Sequence, residues 1–211
     1  NCLVRGNTAS GDGGGIHCSY GAIVDCTIAD NYSGANGGGV HFEWPGMIVD
    51  SVVSNNEAYY SGGGINFDGA GMADSCVIAG NTAWSGAGVY MYLGGFARNC
   101  LMAENAAEFK GGGARIYLDG QVESCSLVSN RAALGGGGMF FDGGGSLSNA
   151  IAYFNAPDNI TNAGPCELAY TCTWPLKPGS AIITNDPLIA GIAVHDYRLS
   201  AGSPCVDAGV A

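Results

Sequence analysis

The side chains best suited to chemistry in this sequence stand at fixed distances after a recurring glycine-rich triplet. Glu43 and Asp68 each follow a triplet by four residues, so equivalent positions in neighbouring repeats would bring the two carboxylates together. Positions nearby in the same repeats supply an imidazole, an amide, a guanidinium and phenol rings: His41, Asn66, Tyr90, Tyr92, Arg115 and Tyr117. Carboxylates and aromatic rings together suit the hydrogen bonding and stacking of a sugar chain. These eight residues are a candidate ligand-binding face, although polar and aromatic residues also fill the outward positions of any exposed strand.

The elements that must position these side chains belong to a repeat of 24 or 25 residues. Its clearest marker is a column of asparagines: Asn7, Asn31, Asn56, Asn81, Asn105, Asn130 and Asn155. The glycine triplets share this spacing, as do small side chains, mostly cysteine, five residues before each asparagine. We predict that the asparagines form a ladder along the repeats, because burial without a hydrogen-bond partner would cost about 1–3 kcal/mol for each polar group.

Short apolar stretches of period two lie between these markers and indicate strands. Val40 and Phe42 follow one triplet, and Ile65 and Phe67 follow the next. A repeat of this length cannot bury its apolar face alone, so each strand must pair with its equivalent one coil away, at about 4.8 Å. The sequence therefore predicts an all-β fold. The predicted fold is a right-handed, single-stranded parallel β-helix of about seven coils over residues 1–155. Its right-handedness is expected from the general rule for parallel crossover connections.

From residue 156 the period breaks, and six of the seven prolines fall in the remaining segment. We expect residues 156–211 to form an irregular cap on the last coil, within the same domain, because an open end would present unpaired strand edges. A disulfide between Cys166 and Cys172 is the preferred pairing there, with Cys172–Cys205 as the alternative. At the other end Asn1 falls on a coil boundary, so we expect either further coils of a longer parent chain or head-to-tail stacking of copies.

The repeat unit resembles a known family. Asp25-Cys26-Thr27-Ile28, Asn31 and then Gly37-Gly38-Gly39-Val40-His41-Phe42 resemble the right-handed parallel β-helix repeats of bacterial exported proteins, including those of chlamydial polymorphic outer-membrane type. The tail, with Asn185-Asp186-Pro187-Leu188 and Gly202-Ser203-Pro204-Cys205, resembles the segment that ends many such helices in large bacterial surface proteins. The resemblance implies a bacterial protein that is secreted or held at the cell surface.

Some enzymes with this fold, such as pectate lyases, polygalacturonases and alginate lyases, act on polysaccharides in a groove along one sheet. They need clustered acids with a basic residue close by, and the sequence lacks their G-H-G and paired Asp-Asp motifs. We therefore assign no catalytic residue and favour a non-enzyme; an activity, if present, would be that of a polysaccharide lyase or glycoside hydrolase. No cofactor or metal is expected apart from Ca²⁺ at Glu43 and Asp68, where two carboxylates fall short of the roughly six to eight oxygens that this ion takes.

Composition narrows the remaining classes. Seven Lys and Arg against 18 Asp and Glu give a net charge of −11, which repels nucleic acid and anionic membrane surfaces. The sequence contains no apolar run long enough for direct insertion into a membrane. We expect an exported structural or adhesive module that self-stacks into rods or filaments or belongs to a longer chain. The alternative is a polysaccharide-binding or polysaccharide-degrading domain.

Overall fold

The computed structural model describes residues 1–209, which form thirty short strands and one 3-10 helix. The first three coils contain β1 (Leu3–Arg5), β2 (Thr8–Ala9), β3 (Ile16–Cys18) and β4 (Gly21–Val24); β5 (Thr27–Ala29), β6 (Tyr32–Ser33), β7 (Val40–Phe42) and β8 (Gly46–Val49); and β9 (Val52–Ser54), β10 (Glu57–Ser61), β11 (Ile65–Phe67) and β12 (Met72–Asp74). The next three contain β13 (Val77–Ala79), β14 (Thr82–Ser85), β15 (Val89–Leu93) and β16 (Phe96–Arg98); β17 (Leu101–Ala103), β18 (Ala106–Ala107), β19 (Ala114–Leu118) and β20 (Gln121–Glu123); and β21 (Ser126–Val128), β22 (Arg131–Ala132), β23 (Met139–Phe141) and β24 (Ser146–Ser148). The seventh coil contains β25 (Ile151–Tyr153), β26 (Ile160–Asn162) and β27 (Glu167–Ala169), and β28 (Cys172–Thr173) begins another turn.

Equivalent strands of successive coils stack into four parallel sheets. Sheet A contains β1, β5, β9, β13, β17, β21, β25 and β28, and sheet B contains β2, β6, β10, β14, β18 and β22. Sheet C contains β3, β7, β11, β15, β19, β23 and β26, and sheet D contains β4, β8, β12, β16, β20, β24 and β27. Pairing joins equivalent repeat positions, as where Ile65 faces Val40 on one side and Val89 on the other. The prediction of an all-β parallel β-helix of about seven coils is confirmed.

Residues with positive φ turn the chain at recurring corners. In the third coil they are Asp50 before sheet A, Asn55 before sheet B and Gly62 before sheet C, with φ of 48°, 54° and 65°. Short polar side chains tolerate this left-handed conformation, so Asp and Asn serve at the first two corners. The third corner admits only glycine, because a Cβ on Gly62 would lie 2.6 Å from the Ile65 carbonyl oxygen. The first glycine of each triplet is therefore a requirement of the backbone.

The interior holds two apolar clusters. The main core runs the length of the coils and includes fully buried Phe42 and Phe67, whose rings stack with centroids 5.2 Å apart. A smaller cluster under sheet B consists of alanines: Ala58, Ala83, Ala87, Ala107 and Ala132. Small side chains here let the sheet B backbone approach the glycine corners closely. Each fully buried Phe or Ile contributes roughly 1.5–3 kcal/mol to the free energy of unfolding. The main apolar core is therefore the largest source of stability.

The C-terminal segment lies against the side of the coils as well as beyond them. Parallel pairing continues past residue 155 in β26, β27 and β28, and the predicted domain division at that residue stays a prediction. An antiparallel hairpin follows, formed by β29 (Ile189–Gly191), the 3-10 helix (Ile192–Val194) and β30 (Asp196–Leu199). His195 Nδ1 lies 2.5 Å from Glu104 Oε1, and the Tyr197 hydroxyl donates to the same carboxylate, so the hairpin reaches the fifth coil. Over residues 1–209, no helix has both the length and the apolar character needed to cross a membrane.

Candidate functional site

The predicted ligand-binding face lies on the outer side of sheet C, where strand register aligns its residues in two rows. His41 pairs with Asn66, Asn66 with Tyr90, and Tyr90 with Arg115. The second row continues two residues further along each strand and contains Glu43, Asp68, Tyr92 and Tyr117. The structure thus brings the eight residues onto one side of four consecutive coils, the second to the fifth.

The first of these rows is more enclosed than an outward sheet position implies. His41 is 2% exposed and Asn66 is fully buried. The glycine corner causes this enclosure, because it turns the preceding backbone against the row: a Cβ on Gly37 would lie 2.7 Å from the His41 Cβ. Tyr92 and Tyr117 in the second row remain exposed, and their rings stack with centroids 5.2 Å apart.

His41, Asn66 and Asp68 form a hydrogen-bonded network. Asn66 Nδ2 lies 3.2 Å from His41 Nδ1, and because an amide nitrogen only donates, the imidazole proton is on Nε2. That Nε2 is 3.5 Å from Asp68 Oδ2, and Asn66 Nδ2 also donates to Asp68 Oδ1 at 2.8 Å. Burial lowers the pKa of His41, and the attraction of the Asp68 carboxylate opposes this in part. The imidazole is therefore neutral at pH 7 and serves the carboxylate as a donor.

The two carboxylates of the predicted face lie beside different histidines. Glu43 accepts a hydrogen bond from Ser19 Oγ at 3.0 Å and has His17 Nε2 at 4.0 Å, whereas Asp68 is engaged by His41 and Asn66. Within the described residues, no group of three or more His, Cys, Asp or Glu side chains has a metal-binding arrangement. Glu43 and Asp68 thus lie one coil apart, each engaged by different side chains, and a Ca²⁺ site at these two residues stays a prediction.

A second cluster occupies the other half of the face. Arg115 Nε donates to Asp142 Oδ2 at 2.6 Å, and Nη1 donates to Ser85 Oγ at 2.7 Å. The guanidinium lies 5.7 Å from the ring centroid of Tyr90 and 6.0 Å from that of Phe140. Burial raises the pKa of Tyr90. Arg115 is consequently satisfied by groups of this chain, and its role in the structure is to bridge three coils.

The seven asparagines form one column at the corner between sheets A and B. Asn56 Nδ2 donates to Asn81 Oδ1 at 3.0 Å, and Asn81 Nδ2 donates to Asn105 Oδ1 at 3.0 Å. Every member from Asn7 to Asn130 donates in this way to the next member, at 2.9 or 3.0 Å. An eighth asparagine, Asn159, accepts from Asn155 at 2.9 Å. Sequence reasoning missed it because it stands only four residues on, where the seventh coil loses its glycine triplet.

The cysteines are all free thiols in the described residues, so the predicted Cys166–Cys172 disulfide is absent. Cys166 packs against the main core before β27 of sheet D, whereas Cys172 is buried in β28 of sheet A, past the next corner of the chain. The neighbouring thiol of Cys172 is that of Cys205, the alternative partner. A hydrogen bond between these two thiols raises the pKa of Cys172 and lowers that of Cys205 to about 7.

A concave surface that the sequence did not reveal lies on the outside of sheet B. We call it the sheet B groove; it has a volume of about 870 Å³ and is lined by Glu57, Ala58, Tyr59, Tyr60, Thr82, Ala83, Trp84, Ala106, Ala107, Glu108, Arg131 and Ala133. Tyr59, Tyr60 and Trp84 are 61%, 54% and 49% exposed. The available signal was the run of aromatic residues three or four places after Asn56, Asn81 and Asn105, which period-two reasoning on the triplet strands did not follow.

A shallower depression of about 820 Å³ crosses sheet D. Its floor is a row of glycines that includes Gly46, Gly71 and Gly95, and its sides are Met47, Met72 and Phe96 among others. These side chains are apolar and supply few hydrogen-bonding groups. The depression therefore offers fewer groups for the recognition of a specific ligand than the sheet B groove does.

Four stacked parallel sheets and a continuous asparagine column define a parallel β-helix repeat protein. Residues 1–19 match the family model of the Chlamydia polymorphic membrane protein repeat. This segment contains Cys2, Asn7 and Gly13-Gly14-Gly15, the markers that recur in the later coils. The resemblance to repeats of the chlamydial polymorphic type is therefore confirmed. No curated protein and no solved structure matches the chain.

Proposed function

We propose that this chain is a rigid β-helical module of an extracytoplasmic surface protein, with a structural and adhesive role. The observation that carries the proposal is the unbroken asparagine column. Each internal side-chain oxygen accepts two hydrogen bonds from the asparagine of the preceding coil, from its backbone nitrogen and from its Nδ2. Every internal coil is thereby fastened to both neighbours by side chains as well as by the strand ladders, as a rod that resists bending requires.

The surface location is supported by the repeat that residues 1–19 match, which is named for membrane proteins. The net charge of −11 and the small number of lysines and arginines agree with a chain that does not bind nucleic acid. Antibodies raised against the folded chain provide the test. Labelling of intact source cells is the expected result, and labelling only after the cells are permeabilised would contradict a surface role.

We also propose that the parallel ladders continue across the first coil. Strands β1, β2, β3 and β4 each pair on one side only, and unpaired strand edges accept further strands. Further coils of a longer parent chain, or a second copy stacked head to tail, would continue them. Light scattering over a concentration series distinguishes the two: a mass that grows with concentration favours stacked copies, and a constant monomer mass favours further coils.

A further inference from the structure

We propose that the sheet B groove binds an uncharged oligosaccharide, with Tyr59, Tyr60 and Trp84 as stacking platforms and Glu57, Glu108 and Arg131 as the hydrogen-bonding rim. The proposal rests on the adhesive role proposed above and gives it a surface and a ligand class. It moves sugar recognition from the sheet C face, which the sequence favoured, to the adjoining side of the coils. Four observations carry it: the ring geometry, a β-bulge, the unengaged rim groups and the balance of charge.

The aromatic rings are exposed yet held in place. Tyr59 and Tyr60 meet edge to face, with centroids 4.8 Å apart and ring planes at 84°. Trp84 stacks on Phe109 with centroids 5.5 Å apart and planes at 10°. Each ring is fixed by a neighbour on one side and open on another, so little conformational entropy is lost when an apolar sugar face packs against it.

A β-bulge places the two tyrosines together. Glu57 pairs with Thr82 and Ala58 with Ala83, but Ser61 then pairs with Ser85, so β10 has one residue more than β14 over this stretch. Tyr59 and Tyr60 therefore stand opposite the single Trp84. Bulges of this kind re-aim side chains and are over-represented beside functional sites. The rest of the ladder needs no such irregularity, because β6 and β18 pair with their neighbours in plain register.

The charged groups of the rim are not engaged by this chain. Glu57, Glu108 and Arg131 are exposed, and their side chains make no hydrogen bond or ion pair within the part of the chain that the structure describes. On the sheet C face, by contrast, Asp68 is held by Asn66 and Arg115 by Asp142. The groove rim thus keeps acceptors and donors free for hydroxyl groups, which can act as both.

Charge and dimensions define the ligand class. Two carboxylates against one guanidinium, on a chain of net charge −11, disfavour acidic glycans. The groove crosses four consecutive coils, from β10 to β22, and coils rise by about 4.8 Å. That rise is close to the length of one pyranose unit in an extended chain, so the groove accommodates roughly three sugar units along the coil axis.

The test uses the full chain with Trp84 as its reporter. The sequence contains three tryptophans, and Trp44 and Trp174 are both exposed, so the double variant Trp44→Phe/Trp174→Phe leaves Trp84 as the sole tryptophan. We expect a saturable change in Trp84 fluorescence with cellohexaose, chitohexaose or mannohexaose, and none with hexagalacturonate. No change with any of the three neutral sugars, or a larger change with the acidic one, would overturn the proposal.

Calorimetry with the sugar that binds assigns the surface. Tyr59→Ala and Trp84→Ala should each weaken binding about ten-fold, as expected for the loss of one stacking contact. Tyr20→Ala is the matched control, since Tyr20 is an exposed, stacked tyrosine outside both the sheet B groove and the sheet C face, and it should bind as the parent does. Equal loss of affinity in all three variants, or a fluorescence change that follows protein concentration and not sugar concentration, would contradict the assignment.

The two proposals can fail separately. Sugar binding with no labelling of intact cells would refute the surface role alone, and labelling with no sugar binding would refute the groove alone.

Discussion

The side-chain oxygen of Asn81 accepts two hydrogen bonds from Asn56, one from the backbone nitrogen at 2.9 Å and one from Nδ2 at 3.0 Å. Asn81 Nδ2 in turn donates to Asn105 Oδ1 and to the Val53 carbonyl, both at 3.0 Å. A fully buried amide thus has every polar atom engaged, and it joins three consecutive coils. A buried polar group adds little to the free energy of unfolding while it is hydrogen-bonded, but leaving it buried without a partner lowers stability considerably.

Asn81→Leu should lower the free energy of unfolding by about 3 kcal/mol, because the backbone nitrogen of Asn56 and the Val53 carbonyl lose a buried partner. Urea titration followed by circular dichroism measures the change. Asn7→Leu is the matched control, since Asn7 belongs to the same column but is exposed in the first coil, and its effect should be small. Equal effects of the two substitutions would mean that burial of the ladder does not matter.

Gly62→Ala should destabilise the protein by about 2 kcal/mol or more. The residue has a φ of 65°, and the new Cβ would lie 2.6 Å from the Ile65 carbonyl oxygen, so conformational strain adds to a steric clash. Gly11→Ala serves as the control, because a Cβ there meets nothing within 4 Å. The midpoints of urea unfolding compare the two variants, and a Gly62→Ala protein as stable as the parent would refute the corner assignment.

Stability should fall as the pH drops below about 6.5, in part because of His41. Burial lowers the pKa of this imidazole in the folded state, so the unfolded chain binds a proton first and acid favours unfolding. The contribution of neutral His41 to the free energy of unfolding is fully present above the pKa that this imidazole has in the unfolded chain. It is lost as the pH falls through the lower pKa of the folded chain. The charges of Asp68, Asp12 and Glu43 raise the pKa of His41 and that of His17 lowers it, but all four act less strongly than burial does.

Unfolding midpoints at pH 7 and pH 5 test this expectation. The difference between the two should shrink in His41→Gln relative to the parent. A pH dependence left unchanged by His41→Gln would show that His41 is not the group responsible.

Thiol reactivity should differ sharply between three buried cysteines of the coils, Cys76, Cys100 and Cys125, and Cys205. Cys76, Cys100 and Cys125 are buried, and a hydrogen bond with Cys125 together with burial raises the pKa of Cys100 to about 12. Cys205 is partly exposed, and its pKa is lowered to about 7 by a hydrogen bond with Cys172. Alkylation at pH 7.5 followed by peptide mass spectrometry should modify Cys205 within minutes, and Cys76, Cys100 and Cys125 only after unfolding. Labelling of Cys100 as fast as Cys205 would contradict this order.

The repeat made most of the fold predictable from sequence. Asn31, Asn56 and Asn81 recur at one spacing with the triplets, and a strict period leaves stacked coils as the arrangement that buries every apolar strand. The path of the C-terminal segment was not predictable in the same way. The contact of His195 with Glu104 joins residues 91 positions apart, and no periodic signal connects them.

The candidate site was less predictable, for two physical reasons. Alternation along β7 and β11 placed His41 and Asn66 outside the sheet, but it could not show that the glycine corner folds backbone over them. The sheet B groove depends on the bulge at Tyr59 and Tyr60, a one-residue irregularity that looks like ordinary variation between repeats of 24 and 25 residues. Period alone therefore located the strands but not the open surface.

The most direct test of the account is the exchange of asparagine side-chain protons with deuterium, followed by NMR. The column predicts that the Nδ2 protons of six buried asparagines exchange slowly: Asn31, Asn56, Asn81, Asn105, Asn130 and Asn155. The exposed side-chain amides of Asn7 and Asn99 should exchange within the dead time of the experiment, whereas Asn66 and Asn159, which are buried outside the seven-residue column, should also be protected. Six protected pairs would establish the ladder that fastens the coils, and rapid exchange of all side-chain amides would contradict it.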